Sequence, residues 1–235
     1  MIKQLVKKIF NLVGLEVRKK IHAPLNNSVA YNSKENMDKF YADAALVARY
    51  EDERRISFYT ELIKNVSQAV DFHKVSSIAD VSAGTGRLLK EFRQKFPDKK
   101  YYGFEFSDGA LKLCKKDCPD ISFEKIDLYV SAKHAIPQGG TGINKSFDLI
   151  LCVDTLEHLE YPERAIQNML DMLTPYAHLC LIVPNGRYDT FEGHIHYWSP
   201  ESFRLFLEKI NCEIKCAMVW DKYVEQCIIV KRKTA

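Results

Sequence analysis

Ser77-Ile78-Ala79-Asp80-Val81-Ser82-Ala83-Gly84-Thr85-Gly86-Arg87-Leu88-Leu89 is the stretch that decides how this chain folds. A short β-rich apolar run ends in Asp80. A loop of small residues holding Gly84 and Gly86 follows, and a helix-like pattern opens directly after it. A strand, a tight turn and a helix start in that order let a ligand approach the backbone where no Cβ blocks it. The unpaired N–H groups of the helix start attract a carboxylate or phosphate. The stretch therefore predicts a site for a nucleotide-type cofactor. A dinucleotide fingerprint needs a third glycine, in the pattern G-x-G-x-x-G, to bring helix and strand together around a pyrophosphate. Leu89 occupies that place and weakens that reading.

The segments downstream repeat the theme. Tyr101-Tyr102-Gly103-Phe104-Glu105-Phe106-Ser107 reads as an aromatic strand. Its acid lies about 20 residues after the glycine loop, the spacing at which a carboxylate meets a ribose. The alternative for Glu105 is a solvated strand-end acid. Ile121–Leu128 is a third strand ending in Asp127, for which a loop cap is the alternative. Phe147–Val153 is a continuous apolar strand running into Asp154-Thr155-Leu156-Glu157-His158-Leu159, and Tyr161-Pro162-Glu163 starts a helix with Pro where a missing N–H costs nothing. Leu179–Asn185 reads as a fifth strand, and Gly193-His194-Ile195-His196-Tyr197-Trp198-Ser199-Pro200 as a loop leading into a helix.

The run from Asp80 to Gly86 resembles the first motif of class I S-adenosylmethionine-dependent methyltransferases. The Phe147–Leu159 segment, the Val183-Pro184-Asn185 exit and the Gly193-His194 loop resemble the small-molecule methyltransferases of the quinone-biosynthesis type. Together the motifs span roughly residues 75–230. The resemblance implies S-adenosylmethionine as cofactor. Its methionine part is expected on the loop of Asp80, Ser82, Ala83, Gly84 and Gly86, with Asp80 near its amino group. Ser82 stands where the family usually has Gly, which implies a slightly altered turn. Glu105 and Phe106 are expected at the ribose, and Asp127 and the Leu128 N–H at the adenine. Val153 and Asp154 are expected at the end of the fourth strand. Residues Met37–Val70 carry aromatic and apolar positions that suggest two helices. In the resembling family this region caps the cofactor with a Tyr or Arg near its carboxylate, and Tyr41, Tyr50 and Arg54 are the candidates.

Alternating strands and helices predict an α/β fold with a doubly wound, Rossmann-like, mostly parallel sheet. The last two strands, Glu213–Trp220 and Glu225–Lys231, lie so close in sequence that they form an antiparallel hairpin, which fits the seven-stranded sheet of the resembling family. The expected organisation is a basic amphipathic helix and linker at 1–34, then a single methyltransferase domain at 35–235, with a helical cap at 35–70 and a Rossmann-like core at 71–235.

The chain has 235 residues, 46% of them hydrophobic, enough for a sizeable core. A net charge of +3 does not argue for nucleic acid. The seven cysteines show no C-x-x-C spacing and read as reduced and structural, which implies a cytoplasmic setting. No metal-ligand spacing is visible, so no metal is expected. Met1–Lys20 holds six Lys/Arg against the single acid Glu16, with apolar residues at helical period. Such a helix suits the surface of an anionic membrane; packing on the domain or a partner is the alternative. Its Lys7-Lys8 pair interrupts any span of a bilayer.

Methyl transfer asks little of a protein, because the sulfonium is already electrophilic and the cofactor carries the chemistry. The protein orients a nucleophile, and a base helps where the acceptor must lose a proton. His194 and His158 are the catalytic candidates, since His titrates near neutral pH. Tyr41, His196, Tyr197 and Trp198 are expected to line the acceptor pocket. Asp154-Thr155-Leu156-Glu157 lacks the Pro-Pro-Tyr segment of enzymes that methylate DNA-base amines, so a small-molecule acceptor is expected: a sugar, a lipid-linked glycan intermediate or a quinone precursor. A catalytically silent methyltransferase-like binding protein is the alternative, and a nicotinamide-dependent oxidoreductase a more distant one. The sequence does not indicate an oligomeric state.

Overall fold

The computed structural model describes residues 32–129 and 146–233. The basic helix expected at 1–20 and most of the linker after it lie outside the described residues.

Seven strands form one sheet in the order β3-β2-β1-β4-β5-β7-β6. They are β1 (Ser77–Asp80), β2 (Lys100–Glu105), β3 (Ser122–Lys125), β4 (Phe147–Val153), β5 (Leu173–Pro184), β6 (Cys212–Trp220) and β7 (Glu225–Arg232). Strands β1 to β5 pair in parallel, and β7 runs antiparallel between β5 and β6. The chain winds outward from β1 to β3, then returns to place β4 on the other side of β1. The crevice at the carboxyl ends of β1 and β4 is thus the switch point where sheets of this kind bind ligands.

The middle strands are apolar throughout because helices cover both faces. Leu149, Ile150, Leu151 and Cys152 of β4 have no exposed surface, nor do Leu179 to Val183 of β5. The edge strand β6 instead alternates between sheltered and exposed positions. Strand β5 begins earlier than the apolar pattern suggests, since Leu173 already pairs with Phe147 ahead of a register shift.

The helices are α1 (Lys34–Ala42), α2 (Ala44–Val47), α3 (Glu53–Ala69), α4 (Arg87–Lys95), α5 (Asp108–Asp117), α6 (Pro162–Asp171) and α7 (Pro200–Lys209). The region expected to hold two helices holds three, joined by a 3-10 turn at Ala48–Glu51. The break has a local cause. Asp43 accepts from the N–H groups of Ala45 and Leu46, and Asp52 from that of Arg55, so each caps a new helix where the periodicity alone would run on.

Helix α3 is fastened by its apolar stripe. Phe58, Tyr59, Leu62, Ile63 and Val66 are buried, and Phe58 packs edge-on against Trp220 and tilted against Tyr223 at the β6–β7 end. Phe58→Ala is expected to cost about 3–5 kcal/mol, because the cavity it leaves is held open by strands on one side and a helix on the other. Urea denaturation of the purified variant measures this; a loss under 1 kcal/mol would mean that α3 is not anchored there.

All seven cysteines are free thiols, six of them buried. No described helix is long and apolar enough to cross a membrane.

Candidate functional site

The strand ends along the switch point open into one cavity of about 580 Å³. In sheet order its wall runs from Asp127 and Leu128 after β3, through Glu105 and Phe106 after β2 and Ser82–Thr85 after β1, to Val153–Glu160 after β4 and Pro184 at the end of β5. Cap residues Met37, Phe40, Tyr41, Tyr50, Arg55 and Tyr59 cover it.

The glycine loop is shaped by two left-handed residues, Gly84 at φ +55° and Gly86 at φ +79°. Such angles cost an L side chain strain, which explains both glycines. The Gly84 N–H donates to Glu105 Oε2 at 2.8 Å, and Glu105 Oε1 accepts from the N–H groups of Phe106 and Ser107 at 2.8 Å each. The carboxylate is thereby fixed between two strand ends. Glu105 is buried, which pushes its pKa up against the pull of these three donors.

Ser82, the departure from the usual glycine, acts as a cross-tie. Its hydroxyl donates to the Val153 carbonyl at 3.2 Å and accepts from the Val153 N–H at 3.1 Å, joining the ends of β1 and β4. Asp80 is buried at 2% exposure and accepts from the Ser82 N–H at 3.1 Å. Burial pushes its pKa up to about 7; Ser82 opposes the rise and the nearby charge of Glu105 adds to it. Asp127 is exposed and accepts from the Tyr129 N–H at 2.9 Å. Gly86 starts α4 and does not line the cavity.

Of the three cap candidates, Tyr41 and Tyr50 line the cavity, and the Tyr41 hydroxyl would stand 3.2 Å from a Cβ on Gly84. Arg54 does not; its guanidinium reaches the Tyr223 carbonyl at 3.3 Å. The cavity takes its neighbour Arg55, whose guanidinium pairs with Asp154 Oδ2 at 2.7 Å. The difference is one of helix phase, about 100° per residue, which the spread of aromatics in this region did not fix. Burial opposes the Arg55 charge, and the Asp154 and Glu225 carboxylates outweigh it. Asp154 itself sits at φ +48°, an uncommon angle for a side-chain-bearing residue, with Oδ1 lacking a hydrogen bond among the described residues.

Beyond Asp154 the 3-10 turn Leu156–His158 meets the loop after β5. The Glu157 carbonyl accepts from the N–H groups of Ile195 and His196 at 2.7 and 3.1 Å, and the Gly193 carbonyl from His158 Nδ1–H at 3.2 Å. His194 Nδ1–H donates to Asp189 Oδ2 at 2.5 Å, while its Nε2 stands 3.8 Å from Glu157 Oε1. The two imidazoles meet edge to face at 4.6 Å between centroids. Burial, and after it the neighbouring His194, bring the pKa of His158 down to about 4, so the ring is neutral at pH 7. Glu157 is 1% exposed, and neither carboxylate oxygen has a hydrogen-bond partner among the described residues.

His196, Tyr197 and Trp198, expected at the acceptor pocket, do not line the cavity. The Trp198 carbonyl accepts from the Gly186 N–H and from Gln226 Nε2, which pins this strip of chain against the sheet. The Trp198 ring then stacks on His196 and packs against Phe203 and Phe206. His196 Nε2 is spent on the Leu159 carbonyl at 2.8 Å. Tyr197 turns outward at 46% exposure and donates to the Phe191 carbonyl. Reading the sequence missed Arg55, Glu157, Asp189 and Glu225. A signal existed for Glu157, which sits in the Leu156-Glu157-His158-Leu159 motif; Asp189 and Glu225 lie in segments with no pattern to mark them.

A family model described as "Methyltransferase domain" matches residues 50–217. The chain is 26% identical over 143 residues to trans-aconitate 2-methyltransferase of Variovorax paradoxus (strain S110), a match over 61% of this chain and 50% of that protein. It therefore spans about half the length of this curated relative. Among solved structures it resembles the N-methyltransferase NodS from Bradyrhizobium japonicum WM9, in complex with S-adenosyl-L-homocysteine, at a TM-score of 0.66 and 16% identity over 86% of this chain and 100% of that one. It also resembles CalS10, an amino pentose methyltransferase from Micromonospora echinaspora bound to S-adenosylmethionine, at a TM-score of 0.54 and 16% identity over 75% and 91%. These structural likenesses establish the shared fold.

Proposed function

The chain belongs to the methyltransferase domain family, as a class I S-adenosylmethionine-dependent member, and we propose that it transfers the cofactor's methyl group to a small molecule seated beside Glu157, His158 and His194. The observation that carries this reading is the single cavity running from the glycine loop and Glu105 to that cluster. Its volume falls in the range of small-molecule sites.

The chain's own residues suit the cofactor. Gly84 keeps a backbone wall free of side chain, and Glu105 is fixed where a ribose would need an acceptor. S-adenosylmethionine, when bound, supplies an activated methyl group. Arg55 and Tyr41 on the cap then face its charged methionine part, Asp80 lies under the loop that receives it, and Asp127 marks the adenine side. On the other side, the His158–His194–Glu157 cluster positions the acceptor and takes part in removing its proton. Sugars, lipid-linked glycan intermediates and quinone precursors are the acceptor classes to test first. Formation of S-adenosyl-L-homocysteine across such a panel tests the reading. Turnover with one class supports it; cofactor binding without turnover on any would favour a silent binding protein, and failure to bind the cofactor would sink the reading.

Asp80 gives this reading a pH dependence. Burial pushes its pKa up to about 7, above the value near 4 of an unfolded chain. Its contribution to stability is thus full below about pH 4 and is lost as pH rises through 7. A cationic ligand reverses the preference, because it favours the carboxylate. Affinity for S-adenosylmethionine is expected to rise between pH 6 and 8, by at most about tenfold per pH unit, with proton release on binding at pH 6. Calorimetry in two buffers of different ionisation enthalpy reads this directly. Flat affinity without proton release would show that Asp80 does not face the cofactor's charge.

A further inference from the structure

The geometry points to a divalent transition-metal cation held by Glu157, His158 and His194 at the acceptor end of the cavity. Each of the three offers one ligand atom, and these atoms lie within 4.8 Å of one another. Bonds of about 2.0–2.2 Å to a common cation bring such atoms to roughly 3–3.5 Å apart. Side-chain rotation has to close the remaining gap.

Two further features point to a cation at this cluster. The first is Glu157. A carboxylate at 1% exposure with no hydrogen bond to either oxygen is costly, and a cation between it and two imidazoles removes the cost. The second is the support behind the rings. Asp189 and the Gly193 carbonyl can only accept, so both histidines carry their proton on Nδ1. The lone pair of each ring is then on Nε2. For His194 that atom is the one nearest Glu157, at 3.8 Å. An imidazole backed by a carboxylate or carbonyl at one nitrogen is the arrangement that orients metal ligands and raises their basicity. Asp189 is in turn fixed by its own N–H, which donates to the Asn185 carbonyl at 3.0 Å at the end of β5. Two imidazoles and one carboxylate suit Zn²⁺, Mn²⁺, Fe²⁺ or Co²⁺ and leave positions open for an acceptor oxygen.

The use of the cation rests on the methyl-transfer reading, whereas its binding does not. An acceptor hydroxyl on the cation is more acidic. Its O–H bond breaks, and the proton passes to solvent water. The oxygen then forms a bond to the cofactor's methyl carbon as the C–S bond breaks, which leaves S-adenosyl-L-homocysteine and the methyl ether.

The test uses tag-free, full-length protein stripped with a chelator and titrated with Co²⁺ and Zn²⁺. Visible absorption reports on the former and calorimetry on the latter. One cation per chain is expected, with Co²⁺ d–d bands of a nitrogen–oxygen site. Glu157→Gln should weaken binding at least 100-fold. Asp189→Asn, which touches no cation, should weaken it by about 10- to 100-fold and decides the matter if Glu157→Gln does not fold. Affinity for S-adenosylmethionine, measured on the same samples, should stay within a few-fold. Absence of 1:1 binding, or binding that both variants leave unchanged, overturns the cation site. If the wild type turns over after chelation at its full rate, the cluster acts as acid and base alone, and the methyl-transfer reading stands without the metal.

Discussion

Glu105→Ala should weaken S-adenosylmethionine binding by at least about 100-fold. In the proposed reading the carboxylate accepts from the ribose, and a hydrogen bond to a charged group contributes about 1.5–3 kcal/mol. Two hydroxyls lose that acceptor together, and each 1.4 kcal/mol is tenfold. The same carboxylate also holds the N–H groups of Gly84, Phe106 and Ser107, so its removal loosens the glycine loop as well. Glu105→Gln keeps one acceptor oxygen and should lose less. Calorimetric titration of variants with unaltered thermal unfolding gives the answer. An affinity within threefold of wild type would remove Glu105 from the cofactor site.

His194→Ala should lower kcat by about 100-fold or more and leave cofactor affinity nearly unchanged. The partners of His194 include Asp189, Glu157, and the rings of His158 and Phe191, all away from the glycine loop in sequence. The loss should be largest where the acceptor is still protonated, at the low end of pH 6–9. A fall of less than about threefold across that range would mean that positioning alone drives transfer, and His158 would be the next residue to change. The effect is the same in direction whether His194 takes the proton itself or ligates a cation that makes the acceptor hydroxyl more acidic. The metal titration separates these two cases, and the kinetics do not.

The glycine-loop end of the cavity was legible because it is local. Asp80 and Glu105 end strands and Gly84 lies in the loop between β1 and α4, and the chemistry of a strand–loop–helix turn is written in consecutive residues. Gly84 and Gly86 had to be glycine for their positive φ, and Glu105 had to follow a strand parallel to β1. The acceptor half was legible only in part. His158 and His194 are recognisable as candidates, but nothing in their spacing shows that they meet at 4.6 Å with Glu157 between the loops. His196, Tyr197 and Trp198 sit next to His194 in sequence, yet one hydrogen-bonded strip sends them elsewhere.

The amino-acid sequence by itself determined the alternation of strands and helices from β1 onward, the parallel core with its antiparallel end, and the strand–glycine loop–helix turn. Those features follow from periodicity, from glycine's conformational freedom and from side chains within a few residues of one another. Only the tertiary structure decided that Arg55 and not Arg54 enters the cavity, that Ser82 ties β1 to β4, and that Asp189, His194, His158 and Glu157 form one cluster. These are contacts between distant segments. Their geometry depends on the rotation of a helix about its axis and on where a loop is pinned to the sheet, and both are set by packing, to which no local pattern in the chain gives access.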